Sequence, residues 1–192
     1  KGHVRLPQLV TAKKPNIYLY PEKETDLKLS FDKAEGITAS IPCYSDSWTI
    51  TAMPDGTIID SDGKKNGYLF YECLTNRSIF DKDCGFVVRA ASRDEDFRCI
   101  LKKYKFNEQE INDFVEYWRE YLDEGTDYVM YPAETEVVDE AMPIETSAEI
   151  DSRYRIWFGF SRDIPDDVRE PEITPIVRNG FTFVEWGGAV IG

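Results

Sequence analysis

The sequence predicts an α+β fold, with a β-rich, antiparallel, sandwich-like sheet of short strands and two amphipathic helices packed on one face. Three observations predict it. Apolar residues alternate with period two over much of the first 90 residues, recur at helical spacing between residues 92 and 125, and alternate again after residue 125. Strands, then helices, then strands are typical of α+β folds and not of alternating parallel units.

A single folded unit is predicted for most of the chain. Its 192 residues are within the range of one domain with one hydrophobic core. Residues 1–14 show no clear period, so we expect an extended leader there. The α+β domain is predicted to span residues 15–192.

The first part of the domain is predicted to be a meander of short strands. The clearest alternation covers residues 26–31, and the run Pro54-Asp55-Gly56 has the composition of a β-turn. The predicted strands are Asn16–Tyr20, Leu27–Phe31, Ile37–Ile41, Trp48–Met53, Thr57–Ile59, Tyr68–Glu72 and Phe86–Arg89.

Two capping boxes mark the starts of the predicted helices. A Ser-x-x-Glu box begins at Ser92 and should start a helix over Arg93–Tyr104. An Asn-x-x-Glu box begins at Asn107 and precedes an apolar stripe at helical spacing, which Gly125 is expected to end. Both helices should cover one face of the sheet.

Strands return after the helices, separated by a long loop at 161–178 that contains three prolines. Tyr154, Ile156, Phe158 and Phe160 alternate with Arg153, Arg155, Trp157 and Gly159, and the pair Asn179-Gly180 is typical of a turn. The predicted later strands are Tyr128–Tyr131, a weak one at Glu136–Asp139, Tyr154–Phe160 and Phe181–Trp186.

The four cysteines allow three pairings if all of them are bridged. Cys73 and Cys84 flank a polar, turn-rich segment, so we favour a Cys73–Cys84 disulfide with Cys43–Cys99 as the second. The alternative is four reduced thiols. No C-x-x-C motif is present and His3 is the only histidine, so we expect neither a metal nor a cofactor.

The acidic composition limits the possible partners. The formal net charge is −13, from 36 acidic and 23 basic side chains, and a phosphate backbone would be repelled. No apolar run approaches the roughly 20 residues that a membrane span needs. We therefore expect a glycan, a peptide or a protein surface as partner, and neither nucleic acid nor a membrane span.

Paired carboxylates are the catalytic option that the composition leaves open, because serine and cysteine nucleophiles need a positioned histidine. Period two places Glu72 and Glu185 on apolar strand faces, where burial raises a carboxyl pKa as a general acid requires. Two such acids facing across a cleft hydrolyse glycosides. The alternative is structural, with each glutamate in water or paired with an arginine such as Arg155.

Aromatic residues suggest a second kind of site, a ligand-binding patch. Rings beside carboxylates and arginines suit sugar or peptide binding, because ring faces stack on apolar ligand surface while polar groups orient it. Core packing is the alternative for each ring. The candidate ligand-binding residues are Tyr20, Arg155, Trp157 and Trp186.

Several sequence runs resemble one known family. They are KPNIYLYPEKETD (14–26), GIT (36–38), WTITAMPDG (48–56), GYLFYE (67–72), GFVV (85–88), NDFVEYW (112–118), RIWF (155–158) and GFTFVEWGG (180–188). In this order they are similar to a family of exported bacterial proteins, with fungal relatives, that has no assigned activity.

The resemblance implies an extracellular or cell-envelope location. Members of the family are often single domains behind a signal peptide or a lipoprotein signal, and no such signal follows Lys1 in this chain, which is expected to be a mature or trimmed form. We therefore expect an exported or cell-surface binding module that uses an aromatic–carboxylate–arginine patch. The alternative is a histidine-free hydrolase that uses Glu72 and Glu185.

Overall fold

Two β-sheets pack face to face, and two of the α-helices cover the outer face of the larger sheet. The computed structural model describes residues 8–192, in which strands predominate over helices. The predicted α+β class is confirmed.

The strands and helices have the following bounds. The strands are β1 (Leu9–Tyr20), β2 (Thr25–Phe31), β3 (Ile37–Ile41), β4 (Trp48–Ala52), β5 (Ile58–Ile59), β6 (Lys65–Asn66), β7 (Leu69–Asn76), β8 (Phe86–Val88), β9 (Tyr128–Ala133), β10 (Ile144–Thr146), β11 (Ser152–Ser161) and β12 (Thr182–Val190). The α-helices are α1 (Arg93–Lys103), α2 (Glu108–Tyr121) and α3 (Thr135–Ala141).

The larger sheet has seven strands in the order β3-β7-β1-β12-β11-β9-β8, and the smaller has five in the order β10-β2-β4-β5-β6. All neighbouring strands are antiparallel except β11 and β12, which pair in parallel from Ser152–Thr182 to Phe160–Val190. The parallel pair differs from the predicted antiparallel sheet. It forms because the long connection after β11 returns the chain to the end of the sheet where β11 began.

Both faces of the larger sheet contribute to a hydrophobic core. Its inner face contributes residues such as Phe183 and Trp157 to a core shared with the smaller sheet. Its outer face contributes Val184 and Trp186 to a second core, which contains Phe114 of α2. Because side chains alternate along β12, Glu185 falls on the inner face with Phe183.

The helices agree with the predictions in part. The Asn107 box is confirmed: the Asn107 side chain accepts from the Glu110 amide at 2.9 Å, and the Glu110 carboxylate accepts from the Asn107 amide at 2.8 Å. The Ser92 box is wrong, because the Ser92 hydroxyl donates to Asp96 instead. Helix α2 ends at Tyr121, before Gly125. No helix within residues 8–192 is long and apolar enough to cross a membrane.

The predicted weak strand at Glu136–Asp139 is wrong, since this segment lies in the helix α3. The segment is too short for its period to be read, and a single buried residue, Val138, anchors it. Helix α3 packs beside β11, where the Thr135 hydroxyl donates to the Arg155 carbonyl at 3.1 Å.

The predicted leader is corrected for residues 9–14, which form the first half of β1 and pair with β7 between Leu9–Asn76 and Ala12–Cys73. The register of β1 shifts between Lys13 and Asn16, and this irregularity interrupts the alternation that would have revealed the strand. Residues 1–7, and His3 with them, lie outside the described residues.

The predicted disulfides are wrong, because all four cysteines are free thiols. Cys73 lies on β7, whereas Cys84 precedes β8. These two strands are five positions apart in the larger sheet, in which neighbouring strands lie about 4.8 Å from each other. Cys43 follows β3 at one edge of the larger sheet, and Cys99 lies on α1 beside β8 at the other edge. A disulfide needs Cα atoms within about 7 Å, which these positions do not allow.

Candidate functional site

The predicted site residues are divided between the two faces of the larger sheet. Arg155, Trp157 and Glu185 come together on the inner face, where all three are fully buried. Glu72 and Trp186 lie on the outer, helix-covered face. The structure therefore assembles part of the predicted patch, and it assembles that part out of reach of solvent.

The inner-face residues form a buried hydrogen-bonded cluster around the Glu185 carboxylate. Arg155 Nε donates to Glu185 Oε2 at 2.7 Å, and the Tyr71 hydroxyl and Trp157 Nε1 donate to Oε1 at 2.7 and 2.8 Å. Arg155 Nη1 also donates to Asp139 Oδ1 at 2.8 Å. Every charged group in the cluster has a partner, as a buried charge requires.

Burial and the Glu185 charge act on the other polar groups of this cluster. Burial disfavours the charge of Arg155, but the adjacent Glu185 carboxylate raises the guanidinium pKa above its usual value. Burial, together with the Glu185 charge, also raises the pKa of the Tyr71 hydroxyl. Arg155 and Glu185 are direct partners across the parallel pair β11–β12, so the cluster stabilises the register of these strands.

Glu72 and Glu185 do not form a catalytic pair. Glu72 faces α2, where its carboxylate accepts from Lys13 Nζ at 2.9 Å, while Glu185 points into the space between the sheets. Two carboxylates on opposite faces of a sheet cannot act on one bond across a single cleft. Glu72 and Glu185 therefore lack the geometry that a hydrolase using these two residues requires.

The ligand-binding role predicted for the tryptophans and Arg155 is also corrected, because Arg155, Trp157 and Trp186 each have 0% exposure. Trp186 packs against Phe114 of α2, with their ring centroids 5.0 Å apart. Tyr20 is half-buried, and its hydroxyl donates to Glu110 Oε1 at 2.7 Å. Arg155, Trp157 and Trp186 are therefore core residues that a ligand cannot reach, and the Tyr20 hydroxyl connects β1 to α2.

An open groove lies instead on the outer face, between α2 and the start of β7. One part, about 480 Å³, is lined by Lys14, Tyr68, Asp113, Glu116, Tyr117, Glu120 and Tyr121. An adjoining part, about 260 Å³, shares Lys14 and Tyr68 and is lined further by Ile41, Asn66, Gly67 and Phe70. We call the two parts together the Lys14 groove.

The ammonium group of Lys14 is held in a cage of aromatic rings within this groove. Nζ lies 4.8 Å from the ring centroid of Tyr68, 4.7 Å from that of Phe70 and 5.8 Å from that of Tyr117. The nitrogen also donates to the Tyr68 hydroxyl at 3.0 Å. Ring faces attract a cation through their quadrupoles, so this arrangement binds an ammonium group.

The backbone of β1 directs Lys14 into the cage. Lys14 has φ of 53°, in the left-handed region that a lysine adopts at a cost of about 1–3 kcal/mol. It lies within the register shift between Lys13 and Asn16, and such irregularities re-aim side chains.

Carboxylates line the helix side of the groove. Asp113 accepts from the Tyr18 hydroxyl at 2.9 Å and from Gln109 at 2.8 Å, and burial raises the pKa of its carboxyl. Glu116 and Glu120 are exposed. The ring of Tyr121, 43% exposed, stacks on Tyr117 at 5.5 Å. The groove thus offers negative charge and aromatic surface to a ligand.

Some residues of the Lys14 groove are spaced in the sequence as neighbours on one helix face. Tyr117 and Tyr121 are one helical turn apart, and Asp113, Glu116 and Glu120 recur at the same helical spacing. Lys14 falls in a break of the strand pattern before Pro15. What could not be predicted is that α2 would lie beside β7, a contact between segments about 45 residues apart.

Within the described part of the chain, no three histidine, cysteine or acidic side chains converge as a metal site. Comparison of the chain with protein-family models, with curated proteins and with solved structures finds no match. The function is therefore inferred from the geometry of the Lys14 groove.

Proposed function

We propose that this protein is an exported or cell-surface binding module that takes a peptide, or a segment of another protein, in the Lys14 groove. The main support for this proposal is that aromatic rings and carboxylates line an open, concave surface in the Lys14 groove. The residues that would have served a catalytic site are buried or apart. The export part of the proposal rests on the family resemblance.

A peptide ligand is favoured over a glycan by the nature of the exposed surface. The tryptophans that would stack on a sugar ring are buried. Two apolar residues that line the groove, Ile41 and Tyr121, are 55% and 43% exposed. Scattered apolar anchors beside charged groups match the alternating side chains of a peptide better than the uniform hydroxyls of a sugar.

The neighbouring strand β3 supports the same choice. β3 is an edge strand of the larger sheet, so the backbone groups along its free side have no strand partner in the sheet. Ile41 at its end lines the groove. An extended peptide in the groove would therefore reach a sheet edge at which main-chain hydrogen bonds add affinity.

A selection from a phage-displayed library of random peptides tests this proposal. Wild-type protein is compared with Tyr117→Ala/Tyr121→Ala, which removes the exposed rings of the groove. The matched control is Ile164→Ala/Val177→Ala, which truncates two exposed apolar side chains in the connection between β11 and β12.

We expect peptides that bind the wild type and the control and lose at least roughly tenfold in affinity for the groove variant. The proposal fails if no peptide is enriched, or if the enriched peptides bind the groove variant as tightly as the wild type. Circular dichroism and thermal melting confirm that each variant is folded.

A further inference from the structure

We propose that the group which anchors a ligand in the Lys14 groove is a lysine-type ammonium cation, and that Lys14 occupies its place in the free protein. This inference rests on the proposed function and names the chemistry of the ligand. It is carried by the cage itself, in which one cation is already bound by three rings and one hydroxyl.

The surroundings of the cage carry more negative charge than Lys14 neutralises. Three carboxylates, Asp113, Glu116 and Glu120, line the same part of the groove as this single ammonium group. None of the ion pairs among residues 8–192 includes Lys14. The excess negative charge attracts a cationic ligand and repels an anionic one.

Lys14 can leave the cage without breaking the fold. Among residues 8–192 its ammonium group makes no ion pair, so its displacement gives up the hydrogen bond to Tyr68 and the contacts with the rings. While Lys14 occupies the cage, the apparent affinity for an external cation is reduced by the fraction of molecules in which the cage is free. Removal of the Lys14 side chain should therefore strengthen binding.

The test compares two peptides that differ in one charge: acetyl-Gly-Gly-Lys-Gly-Gly-amide and the same peptide with norleucine. The proteins are the wild type, Lys14→Asn and Lys105→Asn. Asparagine tolerates the left-handed backbone at both positions, since Lys105 has φ of 64°. Lys105 is exposed and outside the groove, so its variant is a matched control. Affinities are measured by NMR titration.

We expect Lys14→Asn to bind the lysine peptide at least roughly tenfold more tightly than the wild type or Lys105→Asn. The norleucine peptide should bind all three proteins more weakly than the lysine peptide binds Lys14→Asn. A further change in Lys14→Asn, Phe70→Leu, should remove the gain in affinity. If circular dichroism shows that Lys14→Asn is unfolded, Lys14→Gly takes its place.

The inference is overturned if the lysine peptide binds Lys14→Asn no more tightly than the wild type, or if the norleucine peptide binds equally well. In that case, library peptides that still require Tyr117 and Tyr121 would leave the proposed function standing without a cationic anchor. Conversely, tight lysine binding by Lys14→Asn with no groove-dependent library peptides would overturn the proposed function and keep the ammonium site.

Discussion

Arg155 and Glu185 are charged side chains that the fold removes completely from water. Their attraction offsets the loss of hydration because both are fully hydrogen-bonded, to each other and to Tyr71, Trp157 and Asp139. The remaining group would be left buried and unpaired if one partner lost its charge. The cluster therefore specifies how β11 and β12 align, and it should be sensitive to single substitutions.

Glu185→Gln should destabilise the protein by about 3–5 kcal/mol, since it leaves the guanidinium of Arg155 without its principal counter-charge. Urea denaturation at neutral pH measures this difference. Glu145→Gln, on the exposed side of β10, is the control and should change stability by less than about 0.5 kcal/mol. A loss below about 1 kcal/mol for Glu185→Gln would contradict the structural role of the cluster.

The thiols should differ in reactivity according to their burial. Cys43 and Cys99 are exposed, whereas Cys73 is buried and its pKa is raised to about 12 by burial and by the Glu185 charge. At pH 8 without reductant, iodoacetamide should modify Cys43 and Cys99 quickly and Cys73 last, as peptide mass mapping would show. All four should react once the protein is unfolded without reductant. Cysteines that remain unmodified in the unfolded, unreduced protein would indicate disulfides.

Single residues also show where sequence reasoning succeeds. Strand period two placed Glu185 on the apolar face with Phe183, as the structure has it. The period does not say what covers that face. The same reasoning placed Glu72 on an apolar strand face. In the structure this is the opposite face of the larger sheet from the one that carries Glu185.

At the scale of elements, the start of α2 is the best example of a local signal that determines local structure. The Asn107 side chain accepts from the Glu110 amide, and its own amide group donates to the Tyr20 hydroxyl at 3.0 Å. Glu110 is fully buried, and its Oε2 accepts a hydrogen bond from Arg178 Nη2 at 2.6 Å. The capping box thus connects α2 to β1 and to the loop that precedes β12.

Asn107→Ala should destabilise the protein by about 1–2 kcal/mol, because the cap and the bond to Tyr20 are lost together. Ser92→Ala is the comparison, because the hydroxyl of Ser92 caps no amide of α1 and its loss should cost less than about 0.5 kcal/mol. Thermal melting of both variants measures the difference. Equal losses would mean that the two caps are equivalent, contrary to the structure.

At the scale of the whole molecule, several buried acidic groups keep their protons in the folded state. Burial raises the pKa values of Tyr18 and Tyr71 well above the usual tyrosine value, and that of Cys73 to about 12. In the unfolded chain these groups titrate at ordinary values near 8.5 and 10. The raised values stabilise the fold below the unfolded pKa, and this contribution is lost as pH rises toward the folded pKa.

The free energy of unfolding should therefore decrease from about pH 9 upward, by up to about 1.4 kcal/mol per pH unit for each group that has begun to titrate in the unfolded chain. Urea denaturation at pH 8, 9, 10 and 11 measures the slope. Tyr71→Phe removes one of the groups and should reduce the slope between pH 10 and 11. A stability that is constant up to pH 11 would contradict the burial of these groups.

The whole fold could be predicted in class but not in assembly. Periodicity identifies strands and helices because it records which side of each element is buried. The parallel pairing of β11 with β12 and the position of α2 beside β7 depend on contacts between distant segments. The Lys14 groove arises from the second of these contacts, so the sequence pattern alone did not reveal it.

NMR mapping of amide chemical shifts tests the central claim, that a ligand binds in the Lys14 groove and not at the buried Arg155 cluster. A peptide enriched on the wild-type protein is titrated into labelled protein. The largest shifts should fall in residues 67–72 and 113–121, on the two sides of the groove. Shifts centred on residues 135–142 and 153–157, beside the Arg155 cluster, would contradict the claim.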